Sequence, residues 1–190
     1  MKMKLGYALT GSFCTVSASL AVLEGIKATA DITPIVSASI ATTDTRFGKA
    51  ADTVSRLTEL CGRKPITTVT EAEPLGPKHP LDAMVICPCT GNTLAKLACG
   101  ITDGAVTMAA KAHLRCDRPL IIALASNDAL SQNLKNVATL LQRKSVYFVP
   151  LGQDDPIGKP HSLISDFSLL PETLSLALIG KQIQPLLLKR

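Results

Sequence analysis

Four short stretches of this chain concentrate hydroxyl, amide and glycine residues: Thr10-Gly11-Ser12, the segment carrying Ser37, Ser39 and Thr42, Thr90-Gly91-Asn92-Thr93, and Ser126-Asn127. Each follows an apolar run of strand character. Hydroxyls, amides and the free N–H groups that open a helix all donate to phosphate oxygens without repelling them. Gly11 lets the backbone approach a ligand closely, and Thr10 or Ser12 can contact a phosphate directly. One such loop is more often a set of helix caps. Four of them, at the ends of successive strands, point to an anionic ligand, and all of these residues are cofactor-binding candidates.

Four residues are candidates for the chemistry itself. Asn92 both donates and accepts, which suits contact with a cofactor ring or a substrate; its alternative role is to cap the helix that starts at Thr93. Lys111 and Arg115 are spaced i, i+4 and share a helix face, so they can clamp two carboxylates, or simply form a solvated basic face. His113, between them in sequence but turned away, is a candidate acid or base. Glu73 can take a proton only if it is buried, because desolvation raises a carboxylate's pKa. His79 and His161 lie beside prolines and read as loop residues.

Several chemistries are excluded by what is missing. Neither the G-x-G-x-x-G fingerprint nor a G-K-[ST] phosphate loop is present, so a dinucleotide bound in Rossmann fashion is disfavoured. Hydroxyl-rich loops suit a mononucleotide such as FMN better. The six cysteines (Cys14, Cys61, Cys87, Cys89, Cys99, Cys116) form no CxxC pair and read as reduced thiols rather than metal ligands.

The elements that must position these residues alternate along the chain. Residues 3–9, 32–37, 82–87, 119–125 and 145–149 read as strands, the second flawed by Pro34. Residues 15–28, 47–61, 93–99, 104–113, 129–142 and 170–180 read as helices, several with apolar residues at helical spacing. This order implies right-handed βαβ units. The expected fold is α/β, a flavodoxin-like (Rossmann-like) three-layer doubly wound parallel sheet. The whole of 1–190 reads as one domain, with a surface loop near 151–162 and a C-terminal helix. In such sheets ligands sit beyond the carboxyl ends of the strands, where the four polar stretches fall.

Composition narrows the class. Hydrophobic residues make up 46% and charged residues 18%, which describes a well-cored globular protein. Aromatics are only 3%, and the net charge of +5 comes without a dense basic run, so nucleic-acid binding is not expected. No apolar stretch reaches the roughly 20 residues a membrane span needs. Lys2 and Lys4 ahead of an apolar run loosely mimic a signal peptide, but Thr10-Gly11-Ser12 breaks the run and no A-x-A site follows. A cytoplasmic location is expected.

Pro88-Cys89-Thr90-Gly91-Asn92-Thr93, the helix carrying Lys96 and Ala98, and Gly100-Ile101-Thr102-Asp103 together form a recognisable pattern. It resembles the signature of the flavin-containing, cysteine decarboxylase-like flavoproteins, and Gly11-Ser12 resembles that family's first phosphate loop. Within that family the likeness extends over nearly the whole chain to a branch that makes dipicolinic acid, the pyridine dicarboxylate of bacterial endospores. Ala72-Glu73-Pro74-Leu75-Gly76-Pro77, Val106 to Arg115, Ser126 to Leu130, Phe148 to Asp155, Lys159-Pro160-His161-Ser162 and Gln182-Ile183-Gln184-Pro185 carry it. The resemblance implies FMN as cofactor, a cyclic dihydro- or tetrahydrodipicolinate as substrate, and a homo-oligomer. It also implies a dehydrogenase-like partner protein, through which NAD(P) can enter, and a place in the mother-cell cytoplasm. Family decarboxylases carry a catalytic His about eight residues before the Asp that opens the third strand; here that count from Asp82 reaches Pro74. Their P-x-M-N motif is replaced by Ala125-Ser126-Asn127-Asp128. The alternatives to dipicolinate chemistry are therefore a flavin-dependent decarboxylase of a cysteine-derived substrate, and a non-catalytic scaffold.

Overall fold

A computed structural model describes residues 2–189. In chain order the elements are β1 (Met3–Leu9), a 3₁₀ turn at Phe13–Thr15, α1 (Val16–Ile26), β2 (Ala30–Val36), α2 (Ala38–Thr42), α3 (Ala50–Cys61), α4 (Val69–Ala72) and β3 (Ala83–Cys89). The second half continues with α5 (Gly91–Cys99), α6 (Ala105–Leu114), β4 (Leu120–Ser126), α7 (Leu134–Leu141), β5 (Val146–Phe148), β6 (Leu151–Gly152), β7 (Leu163–Ser165) and α8 (Leu170–Leu178).

The strands β2-β1-β3-β4-β5 pair in parallel in that order. This is the flavodoxin-like order, whose switch point lies between β1 and β3. The sheet is three-layered, as expected. Because strand side chains alternate, Met84, Ile86, Leu120 and Ile122 pack on one face, while Val85, Cys87, Ile121 and Ala123 pack on the other. The first core takes in α5 and α6 through Leu94, Leu97, Ala109 and Ala110. The second takes in α1, α3 and α8 through Leu23, Leu57 and Leu174.

The structure adds an antiparallel pair to the expected parallel sheet. β7 runs antiparallel to the last two residues of β4, and β6 runs antiparallel to β7. The predicted loop at 151–162 therefore starts with a short strand, and only 153–162 is the connection of a β6–β7 hairpin. That hairpin sets the connection over the C-terminal edge of β4. Pro34 is tolerated because β2 lies at the sheet edge beyond β1, where a missing N–H donor breaks no inner ladder. The helix expected at 129–142 is limited to 134–141, since 129–133 turns around Asp128, whose carbonyl accepts from the N–H groups of Ser131 and Asn133. Two short helices were not expected: α2, capped by the Ser37 hydroxyl, and α4, held by a Thr68–Glu71 capping box. Among the described residues no helix is long and apolar enough to cross a membrane, and no group of His, Cys, Asp and Glu is arranged to hold a metal.

Candidate functional site

The switch point is tied together by one buried hydroxyl. Thr10 follows β1 and is 1% exposed. Its Oγ donates to the carbonyl of Pro88 at 2.8 Å and accepts from the N–H of Thr90 at 2.9 Å. The Thr10 N–H also donates to Pro88 O, at 3.2 Å. Both hydroxyl roles are taken, so Thr10 locks the first loop to the third and does not face a ligand; the expectation of a direct phosphate contact from it is corrected. Below it, Ser19 of α1 donates to the Cys87 carbonyl while the Tyr7 hydroxyl donates to Ser19 O at 3.0 Å, fixing α1 against β1 and β3. Burial pushes the Cys87 thiol up to about 11 and the Cys89 thiol above its usual value, so neither is a nucleophile.

The loops above this tie frame a cleft with two lobes. The first, about 430 Å³, is lined by Gly11, Ser37, Ser39, Asn92, Thr93, Lys96 and the start of α6. Space favours glycine at position 11: a Cβ would lie 2.8 Å from Ser39 Oγ. The Ser37 and Ser39 hydroxyls are 2.9 Å apart, and Ser12, beside Gly11, accepts from Thr15 in its own tight turn. The result is a small cradle of hydroxyls around a stretch of backbone with no side chain, which fits the oxygens of a phosphate. Thr90 caps α5 by accepting from Thr93 N at 3.2 Å. Asn92 is thus not the cap; it stands exposed on the first turn of α5, facing both lobes. One turn on, Lys96 pairs with Asp103 at 2.8 Å, and this hydrogen bond holds the Asp103 carboxyl below its usual value.

The second lobe, about 410 Å³, is lined by Ser12, Phe13, Asn92, Ser126, Asn127 and Asp128, with Asp154, Lys159 and Ser162 of the β6–β7 connection on its rim. The Ser126 hydroxyl donates to Asp128 Oδ1, and Asn133 Nδ2 donates to Oδ2 at 2.8 Å. The Ser126 bond, assisted by that of Asn133, holds the Asp128 carboxyl below the usual range, so it is ionised at neutral pH. Gly91 abuts this group; a Cβ there would lie 2.6 Å from Asn133 Nδ2 and 2.7 Å from Asp128 Oδ1. A further hollow, of about 380 Å³, opens between α1 and α3 and reaches Arg56. It meets Ile40, Thr43 and Thr45 after β2 and Phe13 and Cys14 of the first loop, but not Gly11, Ser37, Ser39, Thr90, Asn92 or Ser126, so the strand-end cleft, where these converge, is the better ligand site.

Of the candidates read from sequence, the cleft brings together Gly11, Ser12, Ser37, Ser39, Thr90, Gly91, Asn92, Thr93, Ser126 and Asn127. It does not include Thr42, whose hydroxyl turns back to Ala38 O at 2.9 Å. Lys111 and Arg115 also lie outside: they are exposed, seven and eleven residues beyond Gly104, about 10 and 16 Å down the helix axis at 1.5 Å per residue. The dicarboxylate clamp is therefore not in the cleft of this chain. His113 is 1% exposed, with Nε2 2.9 Å from the Pro119 carbonyl just before β4, at the N-terminal ends of the strands and away from the cleft. Its Nδ1 is without a partner among the described residues, and burial lowers its pKa. It is a neutral packing residue, not the acid or base expected. Glu73 is exposed, which removes the burial its proposed basicity needs.

Sequence reasoning missed Lys96, Asp103, Thr107, Asp128, Asp154, Lys159 and Ser162 as site residues. Asp128 directly follows Ser126-Asn127 and was legible by position. Asp154, Lys159 and Ser162 were not, because nothing in the spacing shows that the 153–162 connection folds back over β4.

A sequence profile described as Flavoprotein matches residues 1–167. The chain belongs to the flavoprotein family. Among flavoproteins it is 43% identical over 187 residues to the B subunit of dipicolinate synthase from Bacillus subtilis (strain 168), covering 98% of this chain and 94% of that protein. Its structure matches the crystal structure of the dipicolinate synthase B subunit from Bacillus halodurans C with a TM-score of 0.91 at 40% identity, over 100% of both chains. The FMN-dependent cysteine decarboxylase SpaF shares the flavoprotein fold at 24% identity, with a TM-score of 0.70 over 93% of this chain and 95% of that one. The expected family and fold are thereby borne out.

Proposed function

We propose that this chain is the flavoprotein component of dipicolinate synthase, binding FMN in the strand-end cleft and acting on a cyclic dihydro- or tetrahydrodipicolinate. The observation that carries the cofactor reading is the hydroxyl cradle at Gly11. There a ligand oxygen can approach the backbone because no side chain intervenes, Ser37 and Ser39 supply neutral donors in the same lobe, and Ser12 supplies one from the adjoining lobe. Ser12, Ser37 and Ser39 would hold the phosphate, and Asn92 and Thr93 would border the ring system. A bound flavin would supply two-electron oxidation of the dihydro ring to the pyridine. The residues of the chain do the rest: the Thr10 tie holds the two loops in fixed register, Asn92 donates to and accepts from whatever lies across both lobes, and the Lys159–Asp154 pair closes the rim. Fixed donors of this kind act by position and electrostatics, without a reorganisation cost at the moment of reaction.

Support for dipicolinate chemistry over decarboxylation comes from the third-strand approach. Pro74 stands where the decarboxylases place their His, and the neighbouring Glu73 is exposed. The cleft contains no Ser/His/Asp or Cys/His set among the described residues, so the chain is an oxidoreductase component that depends on the A subunit of dipicolinate synthase, the dehydrogenase-like partner and the point of entry for NAD(P). It assembles as a homo-oligomer in the cytoplasm of the mother cell. The test is reconstitution of dipicolinate formation from the cyclic precursor, with FMN and nicotinamide nucleotides, followed by ultraviolet absorbance. Formation only when both proteins are present is expected. Full rate from this chain alone would refute the partner requirement, and no effect of this chain on the partner's rate would refute the assignment and favour a scaffold. Light scattering of the flavin-bound chain checks the oligomer; a monomer at micromolar concentration would contradict it.

A further inference from the structure

Three carboxylates border the cleft, and they are not equivalent. Asp103 is neutralised by Lys96 at 2.8 Å and Asp154 by Lys159 at 2.9 Å. Asp128 has no Lys, Arg or His nitrogen within salt-bridge distance among the described residues. It is held instead by two neutral donors, the Ser126 hydroxyl and the Asn133 amide. Asn133 is itself 5% exposed and oriented by Asn136, whose Nδ2 donates to Asn133 Oδ1 at 2.9 Å. The carboxylate is thus aimed from below by a buried amide pair and packed against the backbone of Gly91, beside Asn92. Both oxygens keep a lone pair for a further donor.

A carboxylate only accepts hydrogen bonds. In a cleft whose other groups are hydroxyls, amides and the Lys96–Asp103 and Lys159–Asp154 pairs, an uncompensated negative charge repels a phosphate or a dicarboxylate unless it meets a donor on the ligand. We infer that Asp128 is a substrate-contacting residue that accepts the N–H of a partly reduced, carboxylate-bearing nitrogen heterocycle. The inference rests on the dipicolinate reading above and deepens it by assigning the residue that distinguishes substrate from product. While the ring is reduced, its nitrogen in the enamine or protonated-imine form carries a hydrogen that Asp128 accepts. Once the ring is aromatic the nitrogen presents a lone pair, and acceptor then faces acceptor. One carboxylate thereby holds the reduced ring and disfavours the product.

The test compares three ligands on the FMN-loaded chain by calorimetry: piperidine-2,6-dicarboxylate, whose ring nitrogen carries hydrogens; pyridine-2,6-dicarboxylate, whose nitrogen does not; and oxane-2,6-dicarboxylate, with oxygen in that place. The piperidine ligand is expected to bind about tenfold or more tightly than either other ligand, the scale of one charge-assisted hydrogen bond. Asp128→Asn should reduce that preference to about twofold. Equal affinity of the wild-type chain for the three ligands, or a preference that survives Asp128→Asn, overturns the assignment. Equal affinities of the wild-type chain overturn the assignment even if the variant fails to fold. The same comparison on flavin-free chain decides it if FMN does not bind, a result that would overturn the cofactor reading alone.

Discussion

Replacing Gly11 by alanine tests the cradle at its tightest point. The φ of Gly11 is not in the left-handed region, so the only obstacle is space. The new Cβ would lie 2.8 Å from Ser39 Oγ and 3.4 Å from Ser39 Cβ. Ser39 can relieve the first contact by rotating, at the loss of its 2.9 Å hydrogen bond to Ser37. Losing a neutral hydrogen bond costs about 0.5–1.5 kcal/mol, and overpacking about 1–3 kcal/mol, so Gly11→Ala should destabilise the chain by about 1–2 kcal/mol in urea denaturation. Adding Ser39→Ala removes the clashing atom and leaves the 3.4 Å contact to its Cβ and an ordinary 3.6 Å contact to Phe13 Cε2. The double variant should be no less stable than Gly11→Ala alone, because the Ser37–Ser39 bond is lost only once, giving a coupling of about 1 kcal/mol in a double-mutant cycle. FMN affinity should fall about tenfold in Gly11→Ala and stay low in the double variant, because the cradle is still filled and one hydroxyl is gone. Strictly additive stabilities would refute the contact, and unchanged FMN affinity in both variants would refute the placement of the phosphate.

Other outcomes follow from the same geometry. Thr10→Val keeps the shape but strips two buried partners, Pro88 O and Thr90 N, of their hydroxyl, and should cost about 1–3 kcal/mol by denaturation. Replacing Lys111 and Arg115 together by alanine should leave the FMN affinity of the isolated chain within about twofold, measured by fluorescence titration. His113 gives a pH signature. Burial lowers its pKa in the fold below the ordinary 6.5, so below pH 6.5 the unfolded chain takes up the proton first and stability falls with pH. The loss should reach at most about 1.4 kcal/mol per pH unit between about pH 6.5 and 5, above the range where Asp103, Asp128 and Asp154 titrate. His113→Gln should flatten that slope; an unaltered slope would contradict the burial of the neutral ring.

The parts of the fold that periodicity controls were legible in the sequence. β1 at residues 3–9 and α3 ending at Cys61 fall where apolar spacing and the following Gly62, left-handed at φ +68°, put them. The hydroxyl-rich strand ends were legible because each lies directly after an apolar run. What escaped was set by tertiary contact. The hairpin β6–β7 has strands of two and three residues, too short for a period to show, and exists because it pairs with the end of β4. Lys111 and Arg115 share a helix face as spacing required, but spacing does not say which end of α6 meets the cleft. Thr10 has the same residue type as a phosphate ligand and is instead consumed by the backbone of β3.

FMN in the strand-end cleft, with its phosphate in the hydroxyl cradle, is the central claim. Parallel anaerobic titrations of the purified chain with FMN and with riboflavin, followed by flavin fluorescence, test this directly. FMN should bind with one site per chain and about 100-fold more tightly than riboflavin, the difference expected from several hydrogen bonds to a charged phosphate. Equal affinities for the two, or no binding of either, would contradict it.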